Sequence, residues 1–208
     1  MRGIQCGSHA SFGYRLVTSP PTGVGSRRAW RGPRARDLGG VCDGLTETAG
    51  FGLAADDGEA FWFADQLATV KIGGDATQGR WTLVEFEAPP GNSPPLHVHR
   101  NDDESFYVID GEITFYVGDA VIEARAGSFA FAPRGVSHTF VVGEQAARYL
   151  VISEPAGFER FVAEASVAAE SRTIPPAADG PPDVAALAAL AAKHGIEILG
   201  PPGPPAKG

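Results

Sequence analysis

The sequence predicts an all-β sandwich or barrel followed by two short helices. Between residues 60 and 155, short runs of β-branched and aromatic residues alternate with Gly, Asp-Gly and Pro turn signals. This pattern is typical of closely spaced antiparallel strands. The runs are not separated by helical segments, so a parallel α/β sheet is not expected.

The N-terminal region differs in composition from the rest of the chain. The 208 residues carry a net charge of −8, yet residues 1–36 contain seven Arg and no acidic residue, which leaves −15 for the remainder. Residues 1–45 are rich in Gly, Arg, Ser and Pro without any helical or strand period, so we predict a disordered basic tail. An alternative is that translation starts at Val41 and the tail is not normally made. The acidic body argues against a nucleic-acid partner.

Composition also bears on the compartment. Two cysteines, Cys6 and Cys42, are too few for a small secreted fold held by disulfides. No run approaches the roughly 18 apolar residues of a membrane helix. The twin arginines in "SRRAW" (26–30) are not followed by an apolar segment, so an export signal is not expected. We therefore expect a cytoplasmic protein without a membrane partner.

The β-rich segment is predicted to form one domain, residues 46–155, which is followed by a C-terminal region, residues 156–208. In that region "GFERFVAEASVAAES" places Phe158, Phe161 and Val162 on one helical stripe. Such a stripe can pack on the β-domain or cap its mouth.

A second C-terminal helix is predicted from "PPDVAALAALAAKHG", which begins with a helix-start signal and ends at Gly195. The last residues, 201–208, read "PPGPPAKG" and are expected to be frayed.

Two histidines flank one valine in "PPLHVHRNDDESFYVID". Side chains alternate along a strand, so His97 and His99 share a face. Residues 101–103 are interpreted as a turn, after which Glu104 opens a strand that returns antiparallel beside the first. Its carboxylate would then face both imidazoles across a hairpin. His138, on a later strand after a Pro-Arg-Gly turn, would add a third imidazole and complete a donor set for a transition metal.

A His-x-His pair alone is weak evidence, because the acidic residues beside it can equally form a solvated turn. The spacing of glycines and a proline around the pair is more specific. In two motifs the chain resembles the cupin superfamily over residues 60–155; the matching residues are Gly91, His97, His99, Glu104 and Gly111 in the first and Gly127, Pro133, Gly135 and His138 in the second. Val142 stands where the family has Asn, a departure that removes no metal ligand.

The resemblance implies a single cupin β-barrel, also called a jelly roll or double-stranded β-helix, with short C-terminal helices. It implies that His97, His99, Glu104 and His138 bind one divalent transition metal per subunit. Iron, nickel, manganese, cobalt and copper all suit this donor set.

A closer resemblance is to bacterial single-domain quercetin 2,3-dioxygenase-like proteins. It is carried by "WFADQLATVKIGGDATQGRWTLVEFEAPPG", by the two motif segments and by "AALAALAAKHGIEILGPP", and covers about residues 55–202. It implies oxidative ring cleavage of a flavonol by O2, with Glu104 acting both as a ligand and as the base for the substrate hydroxyl. Burial is expected to raise the basicity of Glu104, and metal coordination is expected to oppose this.

Strand alternation suggests which residues line a substrate pocket. Phe106 shares the face of Glu104, and Phe140 shares the face of His138; Phe115 and Phe131 are further candidates. Aromatic residues inside a barrel also serve simply as core, and this alternative stays open.

The expected partners are a small aromatic substrate and O2, and a homodimer is expected. Two rival functions remain. One is an isomerase, cyclase or oxygenase acting on another aromatic or polyketide substrate, and the other is a non-catalytic small-molecule-binding cupin.

Overall fold

A computed structural model describes residues 50–177 and 183–205 of the chain. The predicted tail, residues 1–45, lies outside the described residues, and the domain boundaries stay a prediction. The strands in chain order are β1 Glu59–Phe63, β2 Gln66–Ile72, β3 Thr82–Ala88, β4 Pro95–His99, β5 Asp103–Asp110, β6 Glu112–Val117, β7 Ala120–Arg125, β8 Phe129–Ala132, β9 His138–Val142, β10 Ala147–Glu154, β11 Val167–Ala168 and β12 Ile196–Pro202.

Three helices accompany these strands: α1 Gly74–Thr77, α2 Phe158–Glu164 and α3 Val184–Lys193. The two predicted C-terminal helices are therefore confirmed. Helix α3 begins after Asp183, whose carboxylate accepts a hydrogen bond from the backbone N–H of Ala186 at 2.9 Å. Within the described ranges, no helix is long and apolar enough to cross a lipid bilayer.

The strands form two antiparallel sheets, which confirms the predicted jelly roll. The first sheet has the order β11-β1-β2-β3-β10-β5-β8, and the second has the order β12-β4-β9-β6-β7. The turn between β5 and β6 requires Gly111, whose φ is +78°. A Cβ at this position would lie 2.6 Å from the carbonyl oxygen of Ala146, so no other residue fits without displacing the backbone.

The core lies between the two sheets because inward and outward side chains alternate along each strand. Most of the first sheet's core comes from β3, β5 and β10, whose buried positions recur every second residue. Aromatic rings fill the centre: the centroids of Phe106 and Phe115 lie 4.9 Å apart, and Phe86 stacks on Tyr149 at 5.4 Å. Such ring pairs stabilise a core beyond their buried area.

The end of the chain differs from expectation. Residues 196–202 form β12, which pairs with β4, placing Ile196 opposite His99 and Ile198 opposite His97. The backbone N–H of Gly203 also donates to the hydroxyl of Ser93 at 2.9 Å. The prediction that residues 201–208 are frayed is therefore wrong for residues 201–203. Strand β12 is an edge strand of the second sheet, and its two isoleucines pack with residues of helices α2 and α3. The prolines at 201 and 202 gave no sequence signal for a strand.

Candidate metal centre

Four potential metal ligands converge at one end of the barrel. His97 and His138 lie directly opposite each other on the neighbouring strands β4 and β9 of the second sheet. Glu104 belongs to β5 of the first sheet. The predicted hairpin between the His strand and the Glu strand is thus wrong, because β4 and β5 lie in different sheets. The carboxylate faces the imidazoles across the barrel interior instead.

The donor atoms are close together and shielded from water. One ligand atom from each of His97, His99, Glu104 and His138 lies within 4.8 Å of the others. The residues His99, Glu104 and His138 are each at most 3% exposed, and His97 is partly buried. The structure therefore brings together all four residues that the sequence selected as metal ligands.

Each imidazole is oriented by an acceptor on its outer side. Nδ1 of His99 lies 2.9 Å from Oδ2 of Asp102, Nδ1 of His97 lies 2.7 Å from the carbonyl oxygen of Pro95, and Nδ1 of His138 lies 3.2 Å from that of Val136. An acceptor beside Nδ1 requires a hydrogen on that nitrogen, so we assign the Nδ1–H tautomer. This is the outer-sphere arrangement that fixes metal-ligating histidines.

When the rings are neutral in this tautomer, the inner nitrogens present lone pairs to the centre of the site. Nε2 of His138 lies 3.0 Å, and Nε2 of His99 lies 3.4 Å, from Oε2 of Glu104. Lone pairs of nitrogen and oxygen that face each other at this distance repel unless a proton or a metal cation lies between them. The donor set fits a divalent transition metal, for which imidazole nitrogen and carboxylate oxygen are suitable ligands.

The charges within the site are strongly coupled. Burial would raise the pKa of Glu104, but His99 and the contact with His138 outweigh it and lower that pKa to about 2. The imidazoles thus reverse the rise in basicity expected from burial. Burial, together with His138 and His99, lowers the pKa of His97 to about 3, so this ring is neutral at physiological pH.

His99 behaves differently from His97. Burial would lower its pKa, but attraction to Glu104 and the hydrogen bond to Asp102 outweigh burial and raise that pKa above its ordinary value. Two carboxylates beside one buried ring therefore favour a positive charge at this position.

The loop that joins β4 and β5 is held by Arg134. Its guanidinium Nη2 lies 2.6 Å from Oδ2 of Asp103, its Nη1 donates to the carbonyl oxygen of Asn101 at 3.2 Å, and its Nη2 also reaches that of Glu154 at 3.1 Å. Gly135, the next residue, donates its N–H to the carbonyl oxygen of His99 at 2.8 Å. The Pro-Arg-Gly turn therefore positions both ends of the metal-binding loop.

Helix α2 covers this end of the barrel. The ring of Phe158 lies 5.8 Å from the ring of His99 and 6.2 Å from that of Phe86. A cavity of about 130 Å³ lies beside it, with Asp102, Arg160 and His194 in its wall. The sequence left open whether the Phe158 stripe packs on the barrel or caps its mouth; the ring contacts show that Phe158 packs on the barrel.

The four phenylalanines proposed as pocket lining occupy two different environments. Phe106, Phe115 and Phe140 are at most 6% exposed and pack on one another, with Phe106 6.3 Å from the ring of His138. They form the floor beneath the metal ligands. Phe131 is 45% exposed, because Ala130 and Ala132 are the inward residues of β8. Its assignment to the pocket is therefore wrong.

Several residues near the site escaped sequence analysis. Asp102 was interpreted as part of a solvated turn, although it is buried and holds His99. Its signal was position: a carboxylate three residues after a ligand histidine. Arg134 carried no comparable signal, because its contacts are with residues distant in sequence.

The comparisons with known proteins agree with this geometry. Residues 84–153 match the cupin domain family. The protein is a member of the cupin superfamily. This cupin is 25% identical over 109 residues to quercetin 2,3-dioxygenase of Bacillus subtilis, a match that covers 52% of this chain and 32% of the relative.

A second curated relative is an oxalate-binding protein of Thermotoga maritima, 32% identical over 57 residues, which make up 27% of this chain and 47% of the relative. The matched segments thus span less than half of either curated relative. Among solved structures, the polyketide cyclase RemF of Streptomyces resistomycificus is 30% identical, with a TM-score of 0.39 and coverage of 47% of this chain and 68% of that one.

Proposed function

We propose that this cupin is a metal-dependent dioxygenase that cleaves the ring of a flavonol with O2. The observation that supports the proposal most is the set of three imidazoles and one carboxylate, buried at the barrel end. The 25% identity to a quercetin 2,3-dioxygenase suggests the substrate class.

His97, His99, His138 and Glu104 would together hold one divalent ion of iron, nickel, manganese, cobalt or copper. When bound, such an ion supplies Lewis acidity toward a substrate oxygen and a centre for oxygen chemistry. The chain contributes the orientation of the four donors, which Asp102 and the backbone carbonyls fix from outside, and the exclusion of water by buried aromatic rings.

Glu104 is proposed as the base that accepts the proton of the substrate hydroxyl. It is the one carboxylate in the donor set, and its low pKa keeps it ionised at neutral pH. A group with a pKa of about 2 is a weak base, so the transfer requires an acidic hydroxyl. The 3-hydroxyl of a flavonol, acidified by the cation, meets this requirement better than an aliphatic alcohol does.

The cavity beside helix α2 does not contain the metal ligands, because His97, His99, Glu104 and His138 are not among the residues of its wall. Its volume of about 130 Å³ is also smaller than the roughly 300–1,000 Å³ of typical small-molecule sites. In the proposed enzyme, a flavonol that approaches the site from the side of Phe158, whose ring lies 5.8 Å from that of His99, would require helix α2 to move.

The same cavity favours a second candidate function, the binding of a smaller ligand beside Asp102. Arg160 and His194 lie in its wall and can attract an anionic group. The relative from Thermotoga maritima is an oxalate-binding protein. A non-catalytic small-molecule-binding cupin and a cyclase or isomerase are therefore the alternatives to the dioxygenase.

Oxygen uptake distinguishes these functions. The protein is reconstituted with iron, nickel, manganese, cobalt or copper in turn and supplied with quercetin, several unrelated aromatic compounds and oxalate. We expect oxygen consumption with quercetin, and a Glu104→Gln variant that keeps part of its metal should lose at least about 100-fold in rate. If no oxygen is consumed with quercetin, whichever metal is bound, the dioxygenase proposal is refuted. Oxalate binding without turnover would favour the second candidate.

We further infer a homodimer that forms through the outer face of the first sheet. Tyr107, Phe129, Phe131 and Ile152 are between 37% and 59% exposed there, and Tyr107 lies directly opposite Phe129. An apolar patch of this kind marks a protein–protein interface. It lies at the sheet edge formed by β8, and because its side chains are uncharged, a second copy can pack on it across a two-fold axis without burying charge.

Light scattering after size exclusion tests the dimer. Phe129→Lys should convert it to a monomer, whereas Val121→Lys, at an exposed position of β7 in the other sheet, should leave the mass unchanged. A monomeric wild-type protein at micromolar concentration would contradict the inference. The cytoplasmic location stays a prediction.

A further inference from the structure

Ser153 carries a buried hydroxyl that makes no hydrogen bond within residues 50–177 and 183–205. It lies on β10, where buried and outward residues alternate, and it occupies an inward position. Its exposed fraction is 0%. Buried hydroxyls almost always have a partner, so an unpaired one that points into the barrel indicates a missing interaction.

The register of the first sheet places Ser153 directly opposite Glu104. Side chains at opposite positions of antiparallel strands have Cβ atoms about 4.5–5.5 Å apart on the same face. From that separation, rotation about the Ser153 Cα–Cβ bond and within the Glu104 side chain can bring Oγ within hydrogen-bonding distance of a carboxylate oxygen. Ser153 is therefore within reach of the metal-binding carboxylate.

The neighbour on the other side does not compete for this hydroxyl. Thr82 on β3 lies opposite Ser153 in the register, but its own hydroxyl donates to the carbonyl oxygen of Ile72 at 2.7 Å. The two hydroxyls thus form a natural pair for comparison: both are fully buried, one is satisfied, and one is not.

The second carboxylate oxygen of Glu104 can accept a hydrogen bond. The contacts of Glu104 with His99 and His138 both involve Oε2, so these two imidazoles do not occupy Oε1. A carboxylate that binds a cation through one oxygen is held in place when its other oxygen accepts a hydrogen bond.

We propose that Ser153 is a positioning residue that donates its hydroxyl hydrogen to Oε1 of Glu104 when Oε2 binds the metal. The inference rests on the metal site of the proposed function. It explains why an unpaired hydroxyl persists in the core: the partner forms only in the metal-bound protein. Replacing the hydroxyl should then have opposite effects on the metal-free and metal-bound forms.

The test compares Ser153→Ala, Ser153→Cys and the control Thr82→Val in the full-length protein. We measure the melting temperature of the metal-free protein, the Co2+ dissociation constant by competition with a chelator, and the visible absorption spectrum of bound Co2+. Ser153→Ala should melt at the same temperature as the wild type or higher, because an unsatisfied buried hydroxyl is removed. Its Co2+ dissociation constant should rise about tenfold, with a shifted spectrum that reports a reoriented carboxylate.

The other two variants separate this role from a packing role. Ser153→Cys keeps the approximate volume with a weaker donor, so its affinity should lie between those of the wild type and the alanine variant. Thr82→Val loses a satisfied hydrogen bond and should melt at a lower temperature with unchanged Co2+ affinity. A wild-type protein that binds no Co2+ would overturn both the metal site and this inference. Wild-type binding with an unchanged constant and spectrum in Ser153→Ala would overturn the role of Ser153 alone.

Discussion

The two ends of the barrel interior are built by the same strand alternation, yet one end is polar and the other aromatic. Along β5 the inward residues change from Glu104 to Phe106, and along β9 they change from His138 to Phe140. The aromatic end is filled by packed rings together with buried aliphatic side chains. At the polar end the imidazoles face the carboxylate inside the barrel, and acceptors outside the barrel fix their orientation.

The aromatic end therefore contributes mainly to folding stability, and the polar end contributes mainly to metal binding. The aromatic end buries apolar area and offers nothing to a cation, whereas the polar end gathers lone pairs and three rings around one buried carboxylate. Changes at the two ends should therefore have different consequences: one end determines folding stability, and the other determines metal affinity.

The largest effect is expected at the aromatic end. Phe115 is 1% exposed and contacts the rings of Phe106 and Phe140. Phe115→Ala should lower the free energy of unfolding by about 3–5 kcal/mol because it removes a packed ring and leaves a cavity. Denaturant titration measures the loss. The metal content per folded molecule should stay unchanged; a proportional loss of metal would show that the two ends are not separable.

A smaller effect is expected at the outer side of the polar end. Asp102→Asn replaces the carboxylate that faces Nδ1 of His99, so the ring loses its fixed orientation and tautomer. Metal affinity should fall by about 10–100-fold, while the melting temperature of the metal-free protein changes little. Chelator competition measures the affinity. Equal affinity in the two proteins would show that Asp102 is a surface acid without influence on the site.

The smallest effect concerns pH. A proton on His99 must leave before Nε2 can bind a metal, and the carboxylates beside this ring raise its pKa above the ordinary value. Metal affinity should therefore increase with pH up to that raised pKa, by about tenfold per unit for one released proton. In Asp102→Asn the pKa of His99 falls, so the increase should end at a lower pH. Isothermal titrations between pH 5.5 and 8.5 in both proteins check the shift.

Much of this architecture could be predicted from local sequence signals. The spacing of His97, His99, Glu104 and His138 selected all four converging side chains, and turn residues such as Gly111 indicated the strand boundaries. These signals are local because a strand's periodicity and a turn's backbone angles depend on few residues.

The remaining features depend on which strands become neighbours. The hairpin predicted between β4 and β5 was wrong because short loops also connect strands of opposite sheets in a jelly roll. Ser153 could not be recognised because its opposition to Glu104 arises from a register between strands nearly 50 residues apart. Phe131 was misplaced because the large residues of β8 face outward and its alanines face inward.

Metal content tests the central claim most directly. Wild-type protein and His138→Ala are grown in medium supplemented with iron, nickel, manganese, cobalt and copper, purified without chelators and compared by elemental analysis. We predict about one divalent transition metal per wild-type chain and a nearly complete loss in His138→Ala, since this change removes one of four converging ligands while the barrel still folds. Wild-type protein without transition metal, or a variant that keeps the full amount, would contradict the assignment of these four residues as a metal centre.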